Sequence, residues 1–469
     1  MRHNCNRFTP VWSRRQMLQT CGAGFGGLAL ASLLAEESCG NPLAVNAPPF
    51  APRAKRIIFL FMHGGPSQVD TFDPKPLLDR DHGKPLPFAK PRVVSGGTGN
   101  LLKSPWKFRQ YGQSGAWVSE LFPHVAQRVD DLCIINSMHC SNSRHGGALL
   151  ELHTGSDTFV RPSMGSWIAY GLGSENQDLP GFVTICPTLT HGGANAYSSS
   201  FLPADYAGVP LGNASIPSDQ AKIPFIENAD SLPPELQRAE LDLIREINLD
   251  FLAASGPDAE LEARINSFEL AFRMQAAAPE LQDISSESAA THEMYGLADD
   301  RTRNFGRQCL MARRFIERGV RFVQCTHSYK WDQHGDLKNG HTRNAFEVDQ
   351  PIAALLADLK ARGLLDDTLI LWGGEFGRTP VAQGDNGRDH NPQGYSMWLA
   401  GGGVRGGMVH GKTDDYGYYA VENKVHVHDL HATMLHLLGL DHKLLTYRYA
   451  GRDFRLTDIY GDIVHEIIA

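Results

Sequence analysis

The stretch LILWGGEFGRTP, residues 369–380, is followed closely by GRDHNP, residues 387–392, and together they decide how the fold is interpreted. The first four residues form an uninterrupted apolar run, which is typical of a strand buried on both faces in a parallel sheet. Two glycines end the run. Three side chains that could bind a ligand or take part in catalysis follow, those of Glu375, Arg378 and His390. Ligands and catalytic groups of open α/β sheets lie just beyond the carboxyl ends of strands. The stretch therefore predicts a strand end that carries a polar site.

Two further apolar runs end in the same way. The run RIIFLFM leads to His63 and Asp70, and the run VRFVQC leads to Asp332 and His334. Strands of a parallel sheet end at one edge, so we expect these side chains to meet there. Three such strand ends predict one shared polar site in which imidazole and carboxylate groups bind a metal.

The composition of the 469-residue chain is that of a folded protein, with 42% hydrophobic and 20% charged residues. This length accommodates one large domain or two ordinary ones. The net charge of -8 and the lack of a long basic run after the N-terminus argue against a general nucleic-acid binder. The eight cysteines show no CxxC spacing, so the sequence predicts neither a disulfide framework nor a thiolate zinc site.

The N-terminus has the pattern of an export signal. Arg14 and Arg15 precede an apolar stretch rich in glycine and alanine, residues 22–35, which has the length of a signal-peptide h-region. The paired arginines predict transport by the twin-arginine export machinery to the periplasm or another extracytoplasmic location. We assign residues 1–47 to a signal and linker. Because this stretch is short for a membrane span, no stable span is expected in the mature chain.

Residues 233–277 carry apolar residues at helical spacing, and the segment SGPD at 255–258 divides them into two helices. This pattern predicts a helical hairpin inserted into the α/β domain at about residues 230–285. The hairpin is interpreted as a cap or an interaction surface, and its apolar stripe as core packing rather than a ligand site. From residue 303 onward, helix and strand patterns alternate, which predicts a parallel sheet with right-handed crossovers.

Four histidines near the C-terminus resemble a metal cluster at first sight, namely His426, His428, His431 and His436. They lie in an apolar stretch at the boundary between a strand and a helix. His431 and His436 are five residues apart, whereas neighbours on one helix face are three or four apart. We therefore interpret these histidines as structural.

Several of these motifs occur together in one known family. The combination is HGG at 63–65, SMH at 137–139 with His145, WDQH at 331–334, GEFGRTP at 374–380 and GRDH at 387–390. It resembles the exported bacterial family called domain of unknown function 1501, over nearly the whole chain after the signal. That family is considered a branch of the alkaline phosphatase and sulfatase superfamily. The resemblance implies an α/β, three-layer alkaline-phosphatase-like fold over residues 54–469, with a mostly parallel central sheet and the inserted hairpin.

The resemblance also implies a metal centre. Members of the superfamily hold divalent metal ions with acidic and histidine ligands, and the matching positions here are His63, Asp332, His334, Glu375 and His390. The excess of histidine over aspartate favours zinc as the divalent metal, with manganese, iron and calcium left open. His139 and His145 are either further ligands or acid–base groups.

The superfamily carries its nucleophile at the start of a helix, in the place that residues 138–145 occupy here. Cys140 and Arg144 match parts of the sulfatase signature, but Asn142 stands where that signature has proline. Conversion of Cys140 to formylglycine is therefore not expected. Cys140 is then either an unconverted nucleophile or a packed residue at a helix start, and water activated by the metal is the alternative nucleophile.

Two functions follow from the resemblance and stay open at this point. The first is a metal-dependent hydrolase of sulfate or phosphate esters, acting on a small-molecule or polysaccharide ester. In that case Arg144 or Arg378 could hold a substrate oxyanion, although either could instead pair with Glu375 or Asp389. The second is a non-catalytic exported binding or assembly protein that retains the fold.

Overall fold

The computed structural model describes residues 42–89, 97–224, 232–256 and 258–469 of the chain. Arg14, Arg15 and the apolar stretch after them lie outside these residues, so the export signal stays a prediction. Among the described residues, no helix combines the length and the apolar character that crossing a membrane requires.

The strands are short, and most belong to one central sheet. They are β1 Arg56–Met62, β2 Phe108–Tyr111, β3 Ala116–Ser119, β4 Leu132–His139, β5 Phe182–Ile185, β6 Val209–Leu211, β7 Phe322–His327, β8 Thr368–Gly373, β9 Gly377–Gln383, β10 Gly387–Asn391, β11 Tyr395–Ala400, β12 Met408–His410, β13 Lys412–Thr413, β14 Ala420–Glu422, β15 Val425–His426, β16 Tyr447–Tyr449 and β17 Arg452–Phe454.

The helices alternate with these strands along most of the chain. They are α1 Gln68–Thr71, α2 Pro76–Arg80, α3 His145–Thr154, α4 Met164–Leu172, α5 Pro234–Ser255, α6 Ala259–Gln282, α7 Ala289–Met294, α8 Asp300–Glu317, α9 Leu337–Ala361 and α10 Val427–Leu437.

The central sheet has nine strands in the order β12-β4-β11-β8-β1-β7-β5-β6, and β15 also pairs with β4. Neighbouring strands are parallel except at β11, which runs antiparallel to both β4 and β8. Parallel neighbours need long crossover connections, which the helices between the strands supply. The predicted α/β fold with a mostly parallel central sheet is confirmed.

Strands β1, β7 and β8 lie side by side in the middle of the sheet. Nearly all of their residues are buried, which is why they appear in the sequence as continuous apolar runs rather than alternating ones. Met62 pairs with His327 across β1 and β7, and Phe61 pairs with Gly373 across β1 and β8. The segments that follow the three strands therefore start next to one another at one edge of the sheet.

The helical hairpin is present as α5 and α6, but the interpretation of its apolar stripe as core packing is wrong for α5. No residue of α5, all of which the structure describes, is buried. Leu243, Ile247 and Phe251 are 57%, 59% and 58% exposed. The periodicity shows correctly that one face of the helix is apolar, but it contains no information about whether another element covers that face.

Candidate metal centre

The segments after β1, β7 and β8 are tied together by hydrogen bonds. The His63 backbone N–H donates to the His327 carbonyl oxygen at 3.2 Å, and the Trp331 N–H donates to the His63 carbonyl oxygen at 3.2 Å. The Gly64 N–H lies 3.1 and 3.2 Å from the two carboxylate oxygens of Glu375 and donates to them. These bonds link the segments that follow β1, β7 and β8 to one another.

The close approach of these segments requires a glycine at position 64. Its φ of +115° belongs to the region that favours glycine. A Cβ atom there would lie 2.6 Å from the backbone nitrogen of Asp332 and 2.8 Å from that of Trp331. Any other residue would therefore push the segment carrying Asp332 away from β1.

Three histidines converge on one carboxylate oxygen of Asp332. Its Oδ1 lies 3.1 Å from Nε2 of His145, 3.0 Å from Nε2 of His334 and 3.2 Å from Nε2 of His390. The histidines come from different places, since His145 begins α3, His334 follows β7 and His390 lies in β10. The ligand atoms of these four residues all lie within 4.8 Å of one another.

The other ring nitrogen of each histidine faces an oxygen acceptor. Nδ1 contacts the Glu375 carboxylate at 2.6 Å in His145, the Ser143 carbonyl oxygen at 2.7 Å in His390, and the side-chain oxygen of Gln383 in His334. A neutral imidazole carries one proton, so donation from Nδ1 leaves the lone pair on Nε2. Three lone pairs thus meet a carboxylate oxygen, and such groups repel one another unless a cation lies between them.

The electrostatics of the cluster agree with a cation at this point. Nε2 of His145 is buried and makes no hydrogen bond with any described residue, although Asp332 Oδ1 is 3.1 Å away. Burial would lower the pKa of His145, but contacts with Asp332 and Glu375 outweigh it and raise that pKa to about 8. Burial would raise the pKa of Asp332, but the three histidines hold it well below its usual range. Three imidazoles and one carboxylate are a donor set that fits a divalent transition metal. Such an ion would take the place of the proton that His145 would otherwise bind beside Asp332.

His63 and Glu375 form an adjoining group that shares His145 with the first. Nε2 of His63 lies 4.0 Å from Glu375 Oε1. Burial would raise the pKa of Glu375, but the hydrogen bond from His145 and the nearby His63 lower it to about 2. Burial lowers the pKa of His63 to about 4. Glu375 is therefore a carboxylate and accepts a hydrogen bond from Nδ1 of His145. Such a bond, on the ring nitrogen that does not face the metal, orients a metal-binding histidine.

Arg378 is completely buried beside Asp332. Its Nη2 donates to Asp332 Oδ1 at 2.7 Å and also to the Gly64 carbonyl oxygen, while Nε donates to the Gly65 carbonyl oxygen at 3.0 Å. The pairing of Arg378 with Glu375 or Asp389, considered from the sequence, is not the one found. Arg378 fixes the carboxylate of Asp332, and its engagement with backbone oxygens leaves it poorly placed to hold a substrate oxyanion.

A sequence profile of the family described as "Protein of unknown function (DUF1501)" matches residues 54–468. The chain belongs to this family. The resemblance drawn from the sequence motifs is confirmed, and the match covers the whole central sheet of this DUF1501 protein. No curated protein is similar enough to the sequence to count as a match.

Solved structures similar to this DUF1501 protein include a sulfatase, an alkaline phosphatase and a lipoteichoic acid synthase. A sulfatase, PsFucS1 from Pseudoalteromonas sp., is 14% identical over 89% of this chain and 72% of its own, with a TM-score of 0.34. The alkaline phosphatase of the Antarctic bacterium TAB5 is 9% identical over 84% of this chain and 100% of its own, with a TM-score of 0.36. The lipoteichoic acid synthase LtaP of Listeria monocytogenes is 11% identical over 88% and 78%, with a TM-score of 0.34. Likenesses of this degree assign no activity to the DUF1501 chain.

Among the predicted catalytic residues, His145 and Arg378 contact Asp332, whereas Cys140, His139 and Arg144 make other contacts. Cys140 is buried, with Sγ 3.5 Å from the carbonyl oxygens of Asn142 and Glu375, and burial raises the pKa of its thiol well above the ordinary value. His139 packs its ring against His426, with ring centroids 4.9 Å apart. Arg144 is exposed at the N-cap of α3, directly before His145.

Sequence reasoning missed two side chains at the centre, His191 and Tyr329. The Tyr329 hydroxyl donates to Asp332 Oδ2 at 3.0 Å. The His191 ring lies 4.9 Å from that of His145, and its Nδ1 lies 3.4 Å from Nε2 of His63. His191 follows β5, which neighbours β7 in the sheet. The rule that identified the other strand ends would have found it if it had been applied to β5.

Proposed function

We propose that this protein is a metal-dependent hydrolase of sulfate or phosphate esters. The proposal is carried by the convergence of three Nε2 atoms on Asp332 Oδ1, from His145, His334 and His390. These four side chains would hold one divalent ion. When bound, such an ion polarises an ester oxygen and makes a nucleophile available at neutral pH. Zinc is the first candidate because imidazole dominates the donor set, with manganese and iron next.

The remaining residues have distinct parts in this proposal. Glu375 keeps the Nδ1 proton of His145 in place, and Arg378 holds Asp332. Tyr329, whose side chain is partly exposed, offers a hydroxyl at the solvent side of Asp332. Arg144, at the start of α3, brings positive charge that suits a sulfate or phosphate group, and the helix N-terminus adds to it.

Water, rather than the Cys140 thiol, is the nucleophile in this proposal. The raised pKa of Cys140 disfavours the thiolate, which is the reactive form of a cysteine. The substrate class we propose is a sulfate or phosphate ester of a small molecule or of a polysaccharide.

The decisive experiment combines metal content with ester hydrolysis. We expect purified protein to bind zinc or manganese and to cleave at least one ester from a panel of aryl and sugar sulfates and phosphates. Asp332→Asn should lose the ion and the activity together. Asp336→Asn is the matched control, because Asp336 is exposed in the same loop and its αL conformation suits asparagine. A metal-loaded protein that cleaves no ester of the panel would contradict the hydrolase and favour a binding protein.

We also propose that the chain is exported by the twin-arginine route. The support is the pair Arg14 and Arg15 before an apolar stretch. Replacing both by lysine should leave the precursor in the cytoplasm, as measured by fractionation. Unchanged export of that variant would contradict the route.

A further inference from the structure

A second group of ligand-type side chains lies outside the candidate metal centre. It consists of Glu151 in α3, His426 at the end of β15 and His428 in α10. One ligand atom from each lies within 4.8 Å of the others. None of the three belongs to the cluster around Asp332. The spacing of the histidines in the sequence could not indicate this group, because Glu151 comes from a distant part of the chain.

His428 carries the clearest sign of a missing partner. Its Nε2 lies 2.9 Å from the Gly155 carbonyl oxygen and donates to it, which leaves the lone pair on Nδ1. That Nδ1 atom is buried and has no hydrogen-bond partner in the part of the chain that the structure describes. His428 as a whole is only 5% exposed. A buried acceptor without a partner is uncommon in native proteins and calls for an explanation such as a bound ion.

Glu151 and His426 supply the other two ligand atoms. Nε2 of His426 lies 3.4 Å from Glu151 Oε1. The Glu151 carboxylate accepts from the N–H of Ser141 at 2.9 Å and from its hydroxyl at 2.7 Å, which holds it in place. A carboxylate has about four lone-pair sites, so these two bonds leave capacity for an ion.

Binding of an ion at Nε2 of His426 replaces the contact of this nitrogen with the Ser141 hydroxyl, 3.3 Å away, and changes one further hydrogen bond. Nδ1 of His426 accepts from the backbone N–H of His428 at 3.2 Å and so caps α10. When Nε2 binds an ion, the ring proton moves to Nδ1 and this bond is lost. The other half of the cap, from the His426 N–H to Asp429 Oδ2 at 2.9 Å, is unaffected.

The group opens onto a cavity of about 540 Å³. Ser141, His426 and His428 contribute to its wall, and Lys443 and Arg455 line it as well. The cavity gives an ion a path of entry. It also leaves room for water or an anion beside the three protein ligands.

We propose that Glu151, His426 and His428 bind a divalent transition metal of the zinc class, at a site independent of the centre around Asp332. Two imidazoles and one carboxylate are a ligand set that zinc uses where one coordination position stays open. Calcium and magnesium prefer oxygen ligands and fit this set poorly. The ion links α3 to the start of α10.

The test counts zinc in the full-length protein after equilibration and removal of free metal. His426→Asn is the first variant, because asparagine caps a helix well and has no imidazole. Glu151→Gln is the second, because glutamine keeps an acceptor for Ser141 without the charge. Both should hold one zinc equivalent fewer than the wild type. His436→Asn, on the same helix but outside the group, should hold as much as the wild type.

The variant Asp332→Asn, alone and combined with His426→Asn, distinguishes the two sites. Asp332→Asn alone should lose zinc only from the centre around Asp332, and the double variant should lose zinc from both sites. Equal zinc content in the wild type and His426→Asn would overturn the proposal. Anomalous diffraction at the zinc edge from zinc-equilibrated wild-type crystals avoids any concern about folding of the variants. A peak is expected about 2.0–2.1 Å from Nδ1 of His428, and an empty map there would overturn the proposal as well.

Discussion

Asp70 and Arg388 form a two-point ion pair in which both side chains are completely buried. Nε of Arg388 donates to Asp70 Oδ2 at 2.7 Å, and Nη2 donates to Asp70 Oδ1 at 3.1 Å. The pair connects α1 to β10, the strand that carries His390. The carboxylate that follows β1 in the sequence is therefore used to hold the strand of a ligand-type histidine and not to bind a metal itself.

Loss of one partner of this pair should be severe. Asp70→Asn leaves the guanidinium of Arg388 buried without its counter-charge, and we expect a loss of about 3–5 kcal/mol in the free energy of unfolding. Urea unfolding followed by circular dichroism measures it. Lys412→Met, which breaks an exposed pair with Glu422, is the control and should change that free energy by less than about 1 kcal/mol. Similar effects of the two variants would show that the burial of the first pair has no energetic importance.

Gly64 and Gly83 allow the cost of backbone conformation to be separated from the cost of a clash. Both have positive φ, +115° and +81°, but a Cβ at Gly83 would meet no described atom within 4 Å. Gly83→Ala should therefore cost only about 1–2 kcal/mol for the left-handed backbone. Gly64→Ala should cost more and should also weaken metal binding, because it displaces the segment of Asp332. Titration of the folded protein with zinc tests this, and unchanged affinity in Gly64→Ala would contradict the steric argument.

Cys140 should react slowly in the folded protein. Burial raises the pKa of its thiol well above the ordinary value, so the reactive thiolate is scarce at pH 8. We expect alkylation by iodoacetamide to be at least about tenfold slower than in the urea-unfolded chain, as measured by mass spectrometry of the Cys140 peptide. Rapid alkylation of the native protein would restore Cys140 as a candidate nucleophile. The same peptide shows whether an aldehyde is present, which we do not expect.

His341 should make the protein sensitive to acid. Burial lowers its pKa to about 3, while its Nε2 accepts from the Ser67 N–H at 3.1 Å. Below the ordinary histidine pKa of about 6.5, the unfolded chain takes up a proton that folded His341 does not, so stability falls as the pH drops from about 6.5 towards 3. At pH 5 this loss amounts to about 2 kcal/mol.

The measurement is the difference in unfolding free energy between pH 7.5 and pH 5. It should be smaller in His341→Gln than in the wild type, whatever the absolute stability of the variant. His82→Gln is the control variant, which removes an exposed histidine instead of a buried one. An unaltered difference in His341→Gln would mean that other groups account for the acid sensitivity.

The central strands could be predicted because strands buried in a parallel sheet have a simple sequence pattern, a continuous apolar run. The apolar runs before His63 and Glu375 match β1 and β8, since both faces of these strands are covered. The short ribbon of β9 and β10 could not be predicted in this way. It carries Arg378, Arg388 and His390, whose burial depends on partners far away in the chain rather than on apolar side chains.

The candidate site was predictable in its location but not in its connections. The expectation that the carboxyl ends of parallel strands meet at one edge of the sheet brings His63, Asp332 and Glu375 together there, as the structure does. It could not show that His145 stands between Asp332 and Glu375, because His145 enters from the start of a helix. Nor could it show which nitrogen of each histidine is available, since that depends on acceptors such as the Ser143 carbonyl oxygen.

The buried guanidinium of Arg378 couples the candidate ligand Asp332 to the backbone that follows the first strand. Asp332 is held by Arg378, and Arg378 is held by carbonyl oxygens of Gly64 and Gly65, all within the folded chain. The position of the Asp332 carboxylate thus depends on two glycine carbonyl oxygens that follow β1, through a residue that binds no ion itself. A change in the backbone at Gly64 or Gly65 would therefore alter the affinity for an ion without touching any ligand, because Arg378 transmits it.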